Sequence, residues 1–303
     1  MLAAARLHLS PRGQPDTLTA HFEYTNRTST GPAIIVIEEV KMGQQLSTLH
    51  LTLWQGALFP QAPWIDRSAS RRIVLAYTTH ADLQTFGGIS LPTGYEGRPD
   101  AALPDLPDFD ALKGASGTDG VWEEPQIPSP AAKFVRSLQN WHFYLPHQEP
   151  LVPGVLDMWI RLASGGNITQ GMIPYIADSF PFNMHTFLAA PEQRRLLLAK
   201  PSETDDSRKG QQKELKERNE ERASLWFPTL VMNLEVKSPL PKEGTEWLAV
   251  RITSKQIKDG RFDLDILIRD TEGEIIALSH HVAMILSVER NAGRDDSSTK
   301  ASL

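Results

Sequence analysis

The chain has 303 residues, 40 % of them apolar, no cysteine and a formal net charge of −6. That length carries one large or two ordinary domains with ample core. The acidic balance gives no electrostatic case for nucleic acid or an anionic membrane, and the lack of cysteine removes disulfides, thiolate nucleophiles and Cys-ligated zinc.

The first nine residues, Met1–Leu9, are too short and lack the order of a signal peptide. No apolar run approaches the roughly 18 residues needed to span a bilayer. A cytoplasmic protein is expected; the ending Lys300-Ala301-Ser302-Leu303 resembles a peroxisomal signal only loosely, because its basic residue is misplaced. After this start come four apolar runs that read as strands. Thr17–Tyr24 alternates at period two through Leu18, Ala20, Phe22 and Tyr24, and Ala33–Ile37, Ser47–Trp54 and Ile73–Thr79 follow. Gln55–Arg72, with Pro60, Pro63 and Trp64, reads as a loop.

Residues 84–140 hold seven Gly and seven Pro, which predicts a linker between a unit at 1–83 and another at 141–290. In the second unit Val155–Leu162 reads as a strand. Ile168–Phe182 reads as a short helix, apolar nearly all round, with Pro174 in its first turn. Lys200–Arg222 balances seven positive against seven negative residues and reads as a solvated insertion, with pairs such as Glu214 and Arg218 at helical spacing. Strands are then expected at Thr229–Val236, Thr245–Val250, Arg261–Ile268 and Ile275–His281, before a polar, disordered tail at 291–303.

These last four runs repeat the first four in order and spacing. Thr17 stands opposite Thr229, and a new apolar run opens sixteen residues after each. The two copies differ at their start, since a strand and a full helix precede Thr229 but only 16 residues precede Thr17. The first copy is therefore expected to lack its opening strand, with Met1–Leu9 the end of its helix. An upstream segment of about 30–50 residues would complete it. Ala5-Arg6 stands where Ala177-Asp178 stands, so the first copy carries no carboxylate and reads as structural.

Asp178 is the sole acid in the apolar stretch Ile173–Phe182. A carboxylate in such a setting has a raised pKa and can accept a proton from water; burying it unpaired would be costly. The plainer reading is a helix-end Asp bonded to nearby backbone. Thr229 alone is an ordinary strand Thr, and its interest rests on its order after Asp178. His281 is equally a satisfied strand histidine. Gly165-Gly166-Asn167 precedes the helix, where free N–H groups could polarise a carbonyl oxygen, or where Asn167 simply caps the helix. No nucleophile elbow, phosphate loop or zinc-binding His spacing occurs, so no metal or organic cofactor is expected.

One buried helix followed by antiparallel strands, present twice, is the hotdog plan. The ordered strings Met158-Trp159-Ile160-Arg161, Ala177-Asp178-Ser179-Phe180-Pro181, Thr229, Glu246-Trp247-Leu248 and Glu272-Gly273 resemble the acyl-CoA thioesterase II family over roughly 141–290, and more weakly over 1–83. The resemblance implies an α+β double hotdog with an abbreviated first copy. It further implies a water oriented by an Asp, a Thr and a Gln for attack on a thioester. Asp178 and Thr229 fall at the first two positions, and His281, with His280 adjacent, falls at or beside the third. A neutral His can orient water as Gln does but can also take a proton. The partner implied is an acyl-CoA or acyl-carrier thioester, with a homo-oligomer allowed. The readings left open are a hydrolase of fatty-acyl or polyketide-like thioesters, a non-hydrolytic acyl-binding or scaffold protein, and a dehydratase or cyclase acting on a thioester.

Overall fold

The computed structural model describes residues 1–95, 106–125, 136–146, 154–180 and 225–287. The charged run at 200–222, the tail at 291–303 and the residues after Phe180 in the expected helix lie outside the described residues.

The first unit opens with helix α1 (Leu2–Leu9) and continues through β1 (Asp16–Tyr24), β2 (Ile34–Met42), β3 (Ser47–Leu58) and β4 (Ile65–Ala81). A short helix α2 (Phe109–Lys113) and a two-residue strand β5 (Trp122–Glu123) follow. The second unit comprises β6 (Trp141–Pro146), β7 (Val155–Leu162), helix α3 (Ile173–Ala177), β8 (Leu225–Trp226), β9 (Thr229–Val236), β10 (Leu248–Thr253), β11 (Ile257–Lys258), β12 (Arg261–Arg269), β13 (Ile275–Met284) and β14 (Leu286–Ser287). One antiparallel sheet runs β2-β3-β4-β1-β9-β13-β12-β10-β7-β6-β5, and the units meet where β1 pairs with β9.

Alternation decides which face is buried. Phe262, Leu264, Ile266 and Ile268 of β12, and Ala277 and Ala283 of β13, point inward with Ala20 and Phe22 of β1. Ala5 and Leu9 of α1, and Ile173, Ile176 and Ala177 of α3, pack in the same core. Helices held against one face of an antiparallel sheet, twice over, make the double hotdog. The exposed polar alternates, such as Glu23 and Glu235, lie on the other face.

A β-bulge ties the two copies together in register. Thr17 pairs with His80 and Thr19 with Thr79, so Leu18 is the extra residue; Thr229 pairs with Ala283 and Val231 with Val282, so Leu230 is. The offset between the bulges is the offset between Thr17 and Thr229. Strand order agrees, with β1, β4, β3 and β2 matching β9, β13, β12 and β10. The match then ends. β10 is flanked by β7, whereas β2 has no neighbour beyond β3 among the described residues. Five of the six β10 residues are buried, while β2 is half-buried or exposed along its length. The first hotdog is thus the shorter one.

Two expectations need correction. Gln55–Arg72 is not a loop: β3 extends to Leu58, β4 starts at Ile65, and only 59–64 connects them. The prolines are confined to that connection. The polar residues taken for loop are strand positions; the Arg67 and Arg72 guanidiniums lie over the Trp54 ring, 5.8 and 5.2 Å from its centroid. Gly56 has φ 118°, and a Cβ there would meet the Ala69 carbonyl at 2.9 Å. The helix expected over Ile168–Phe182 is also shorter. Ile168 is held in a bridge with Thr245, a single 3₁₀ turn fills Gln170–Met172, and α3 ends at Ala177. Nor is it buried all round, since Tyr175 is exposed.

Within the Gly/Pro-rich stretch 84–140, residues 109–123 fold over the outer face of the second unit. Leu112 and Trp122 bury there against Tyr144, Trp159, Trp247 and Ala249, with Phe109 alongside. This explains why β10 is buried on both faces. Its one charged side chain, Arg251, is held by Asp157 through two hydrogen bonds of 2.7 and 3.0 Å. No described helix is long and apolar enough to cross a membrane.

Candidate active site

Asp178 is the residue that ends α3, with φ −105° and ψ 8°. Its position at the helix end turns the carboxylate toward the start of β9. Strict alternation from Met232, Leu234 and Val236 would point Leu230 inward and Thr229 outward. The bulge reverses this: Leu230 is exposed, and Thr229 faces the helix end. Thr229 Oγ1 then donates to Asp178 Oδ1 at 2.8 Å.

His281 comes in from β13, opposite Met232. Its side chain is only 1 % accessible, and its Nδ1 lies 3.6 Å from Asp178 Oδ1. The other ring nitrogen, Nε2, is 2.9 Å from Ser279 Oγ, and Ser279 Oγ donates to the Asn233 carbonyl at 2.6 Å. A hydroxyl has one proton, so Ser279 must accept from Nε2–H. The neutral ring therefore presents a bare lone pair at Nδ1, which has no hydrogen-bond partner among the described residues. His280 points the other way and pairs with Asp265 at 2.7 Å on the outer face.

Burial sets both protonation states. Desolvation pushes Asp178 up from the usual carboxylate range to about 6, against the opposing hydrogen bond from Thr229. The side chain nevertheless keeps 37 % accessibility, so the carboxylate is open to solvent in part. Desolvation, with the nearby His280, pushes His281 down to about 4. Tyr24, from β1 of the other unit, feels the same site: burial and the Asp178 charge both raise its pKa.

The structure thus brings together Asp178, Thr229 and His281, from three elements spread over a hundred residues of chain. It does not bring Gly165, Gly166 and Asn167 to them. Those residues form the turn after β7, at the opposite end of the helical segment from Asp178, about 12 Å along its axis. Asn167 does not cap the helix; its side chain donates to the Glu243 carbonyl at 3.0 Å. Ala163 and Ser164, at the start of that turn, line an open cleft of about 490 Å³ with Trp141, Met172 and Tyr175. Ser279 was passed over in sequence. Its signal is a hydroxyl two residues before an inward-facing His on one strand, which places the two side by side. Among the described residues no cluster of three or more His, Asp or Glu is placed to hold a metal.

Residues 110–285 match the model of the acyl-CoA thioesterase C-terminal domain, and residues 1–80 that of the acyl-CoA thioesterase N-terminal domain. The chain belongs to the acyl-CoA thioesterase family. It is 65 % identical over 303 residues to the thioesterase-like protein TwmA of Talaromyces wortmannii, covering all of this chain and 86 % of that one. Among solved structures it resembles acyl-CoA thioesterase II TesB2 of Mycobacterium marinum (TM-score 0.53, 14 % identity, 94 % of this chain and 88 % of that one). It also resembles a hot dog protein of unknown function from Alicyclobacillus acidocaldarius (TM-score 0.58, 12 % identity, 90 % and 79 %). At such identities the two structures speak for the fold alone.

The first copy of this thioesterase-family fold has kept only one of the three positions. Thr17 follows the same bulge pattern as Thr229. Register puts Thr78 opposite Ala20, as His281 is opposite Met232, so Thr78 replaces the imidazole. Arg6, the residue aligned with Asp178 by sequence, lies inside α1 rather than at its end and shares a small cleft with Thr17. The buried His80 lies two residues further on, with Nε2 2.9 Å from Thr78 Oγ1.

Proposed function

We propose that the protein hydrolyses an acyl thioester, with a fatty-acyl or polyketide-like acyl group carried on coenzyme A or a carrier protein. The observation that carries this reading is the convergence of the Asp178 carboxylate, the Thr229 hydroxyl and the bare Nδ1 of His281 at one partly open point.

Two acceptors 3.6 Å apart repel unless a donor lies between them, and a water supplies two protons to share. A water held by Asp178 and His281 has its oxygen lone pair free for attack. As its oxygen bonds to the thioester carbonyl carbon, one of its protons passes to a base. Asp178, at about 6, is the stronger base of the two, so it takes the proton; His281, at about 4, orients the water. Thr229 holds the carboxylate in place. The tetrahedral intermediate then collapses, the C–S bond breaks, and the leaving thiolate takes up the proton. No cofactor enters these steps.

The test is release of free thiol from a panel of acetyl-, octanoyl- and palmitoyl-CoA by the purified chain. Turnover of any of them with sensitivity to Asp178→Asn supports hydrolysis. Binding without thiol release would favour an acyl-binding protein instead.

A further inference from the structure

The three groups around the water are all acceptors on the side that faces it. The Thr229 proton is committed to Asp178, and the one N–H of His281 is committed to Ser279. Such a set can hold and deprotonate water. It cannot stabilise the negative oxygen that forms when water adds to a carbonyl, because an oxyanion needs hydrogen-bond donors.

The first hotdog supplies one. Phe22 and Glu23 of β1 pair with Met232 and Val231 of β9, so the next residue, Tyr24, stands level with the Leu230 bulge beside Thr229. Its ring stacks on the buried Phe22, with centroids 6.2 Å apart, and so lies on the core side of the sheet. Its hydroxyl reaches Met232, the register partner of His281, and contacts the sulfur at 3.7 Å. A thioether is a weak acceptor, so the phenol proton is in effect unspent. Nearness to the Asp178 charge, on top of burial, keeps that proton on the phenol at all ordinary pH. We propose that Tyr24 is a catalytic residue whose hydroxyl donates a hydrogen bond to the thioester carbonyl oxygen, and more strongly to the oxyanion formed from it.

This role rests on the hydrolytic reading of Asp178, Thr229 and His281. It gives the abbreviated first hotdog, which has lost its own acid, a chemical part in the second one's site. No proton transfer is assigned to Tyr24. It keeps its proton throughout, and the bonds made and broken are those already described.

The experiment compares wild type, Tyr24→Phe, Asp178→Asn and Met232→Leu in thiol release from octanoyl-, acetyl- and palmitoyl-CoA, with folding followed by circular dichroism. Tyr24→Phe keeps the ring and removes only the hydroxyl. We expect its kcat to fall about 10²- to 10³-fold with KM within about threefold, because the bond strengthens in the transition state. The pH dependence set by Asp178 stays in place. Met232→Leu, which removes the sulfur but not the phenol, keeps wild-type turnover. Tyr24→Phe turning over like wild type overturns the role while leaving the hydrolytic reading standing. Equal losses in Tyr24→Phe and Met232→Leu assign the effect to packing and also overturn it. A folded wild type with no turnover, or unaffected by Asp178→Asn, overturns the hydrolytic reading and the Tyr24 role with it.

Discussion

Ser279 accepts a hydrogen bond from His281 across 2.9 Å, and its own proton goes to the Asn233 carbonyl. These two contacts fix the tautomer of a ring buried in the middle of a strand. They leave Nδ1 as an acceptor facing Asp178. A glutamine at this place could turn an N–H or an oxygen to the water; this histidine offers only a lone pair.

His281→Leu fills much of the same space without that lone pair. We expect a folded protein with kcat lowered about 10- to 100-fold, the loss of one orienting contact rather than of the base. His281→Gln restores an acceptor and is expected to stay within about tenfold of wild type. Steady-state kinetics at pH 8 check both. A wild-type rate in the leucine variant would remove His281 from the water's surroundings.

The pH profile follows from the shifted pKa values of the half-exposed Asp178 and the buried His281. Asp178 must be ionised to act as base, so kcat/KM is expected to fall below an apparent pKa of about 6, tenfold per unit further down. His281 stays neutral until about 4 and adds no second step above that. A profile flat down to pH 4.5 would contradict the assignment of Asp178.

Stability should depend on pH with opposite signs at these two residues. The folded pKa of Asp178, about 6, lies above that of an unfolded Asp, about 3.9, so the folded state binds this proton more tightly. The stability this gives is complete below about 4 and is lost as pH rises through about 6. Asp178→Asn is therefore expected to raise Tm at pH 8 and leave it unchanged at pH 4. The folded pKa of His281, about 4, lies below the unfolded value of about 6.5. Its contribution is full above about 6.5 and is lost as pH falls through about 4. Thermal scans of wild type, Asp178→Asn and His281→Leu at pH 4, 6 and 8 check the signs.

Trp159 is 1 % exposed, with Trp122 and Phe109 edge-on to its ring at centroid distances of 6.4 and 5.2 Å. Trp159→Ala is expected to cost about 3–5 kcal/mol in urea unfolding and to loosen residues 109–125 from the sheet, seen as new protease cleavage there. Trp64→Ala, at a half-exposed residue of the β3–β4 connection, is expected to cost under about 0.5 kcal/mol.

The strands were legible because alternation survives in most of them, and Ala20, Phe22 and the β12 run show it plainly. The repeat was legible from Thr17 and Thr229, and the shared bulges give that match its physical basis. Alternation failed where long side chains shield apolar ones: Arg67 and Arg72 over Trp54 made strand look like loop. It also failed at Ile168, where a bridge to Thr245 delays the helix. Asp178 could be singled out as a lone acid among apolar residues. The bulge that turns Thr229 inward, the Asn233 carbonyl that takes the Ser279 proton, and the approach of Tyr24 from the other unit depend on pairing between distant strands. A linear pattern holds no sign of them.

The proposed hydrolysis depends on Asp178 as the base for water attack on a thioester. The most direct measurement is thiol release from acyl-CoA at pH 8 by wild type and by Asp178→Asn, side by side, with folding checked by circular dichroism. We expect turnover by wild type and a loss of about 10²- to 10⁴-fold in a folded variant, the usual worth of a positioned base. Equal turnover by the two proteins would contradict the claim.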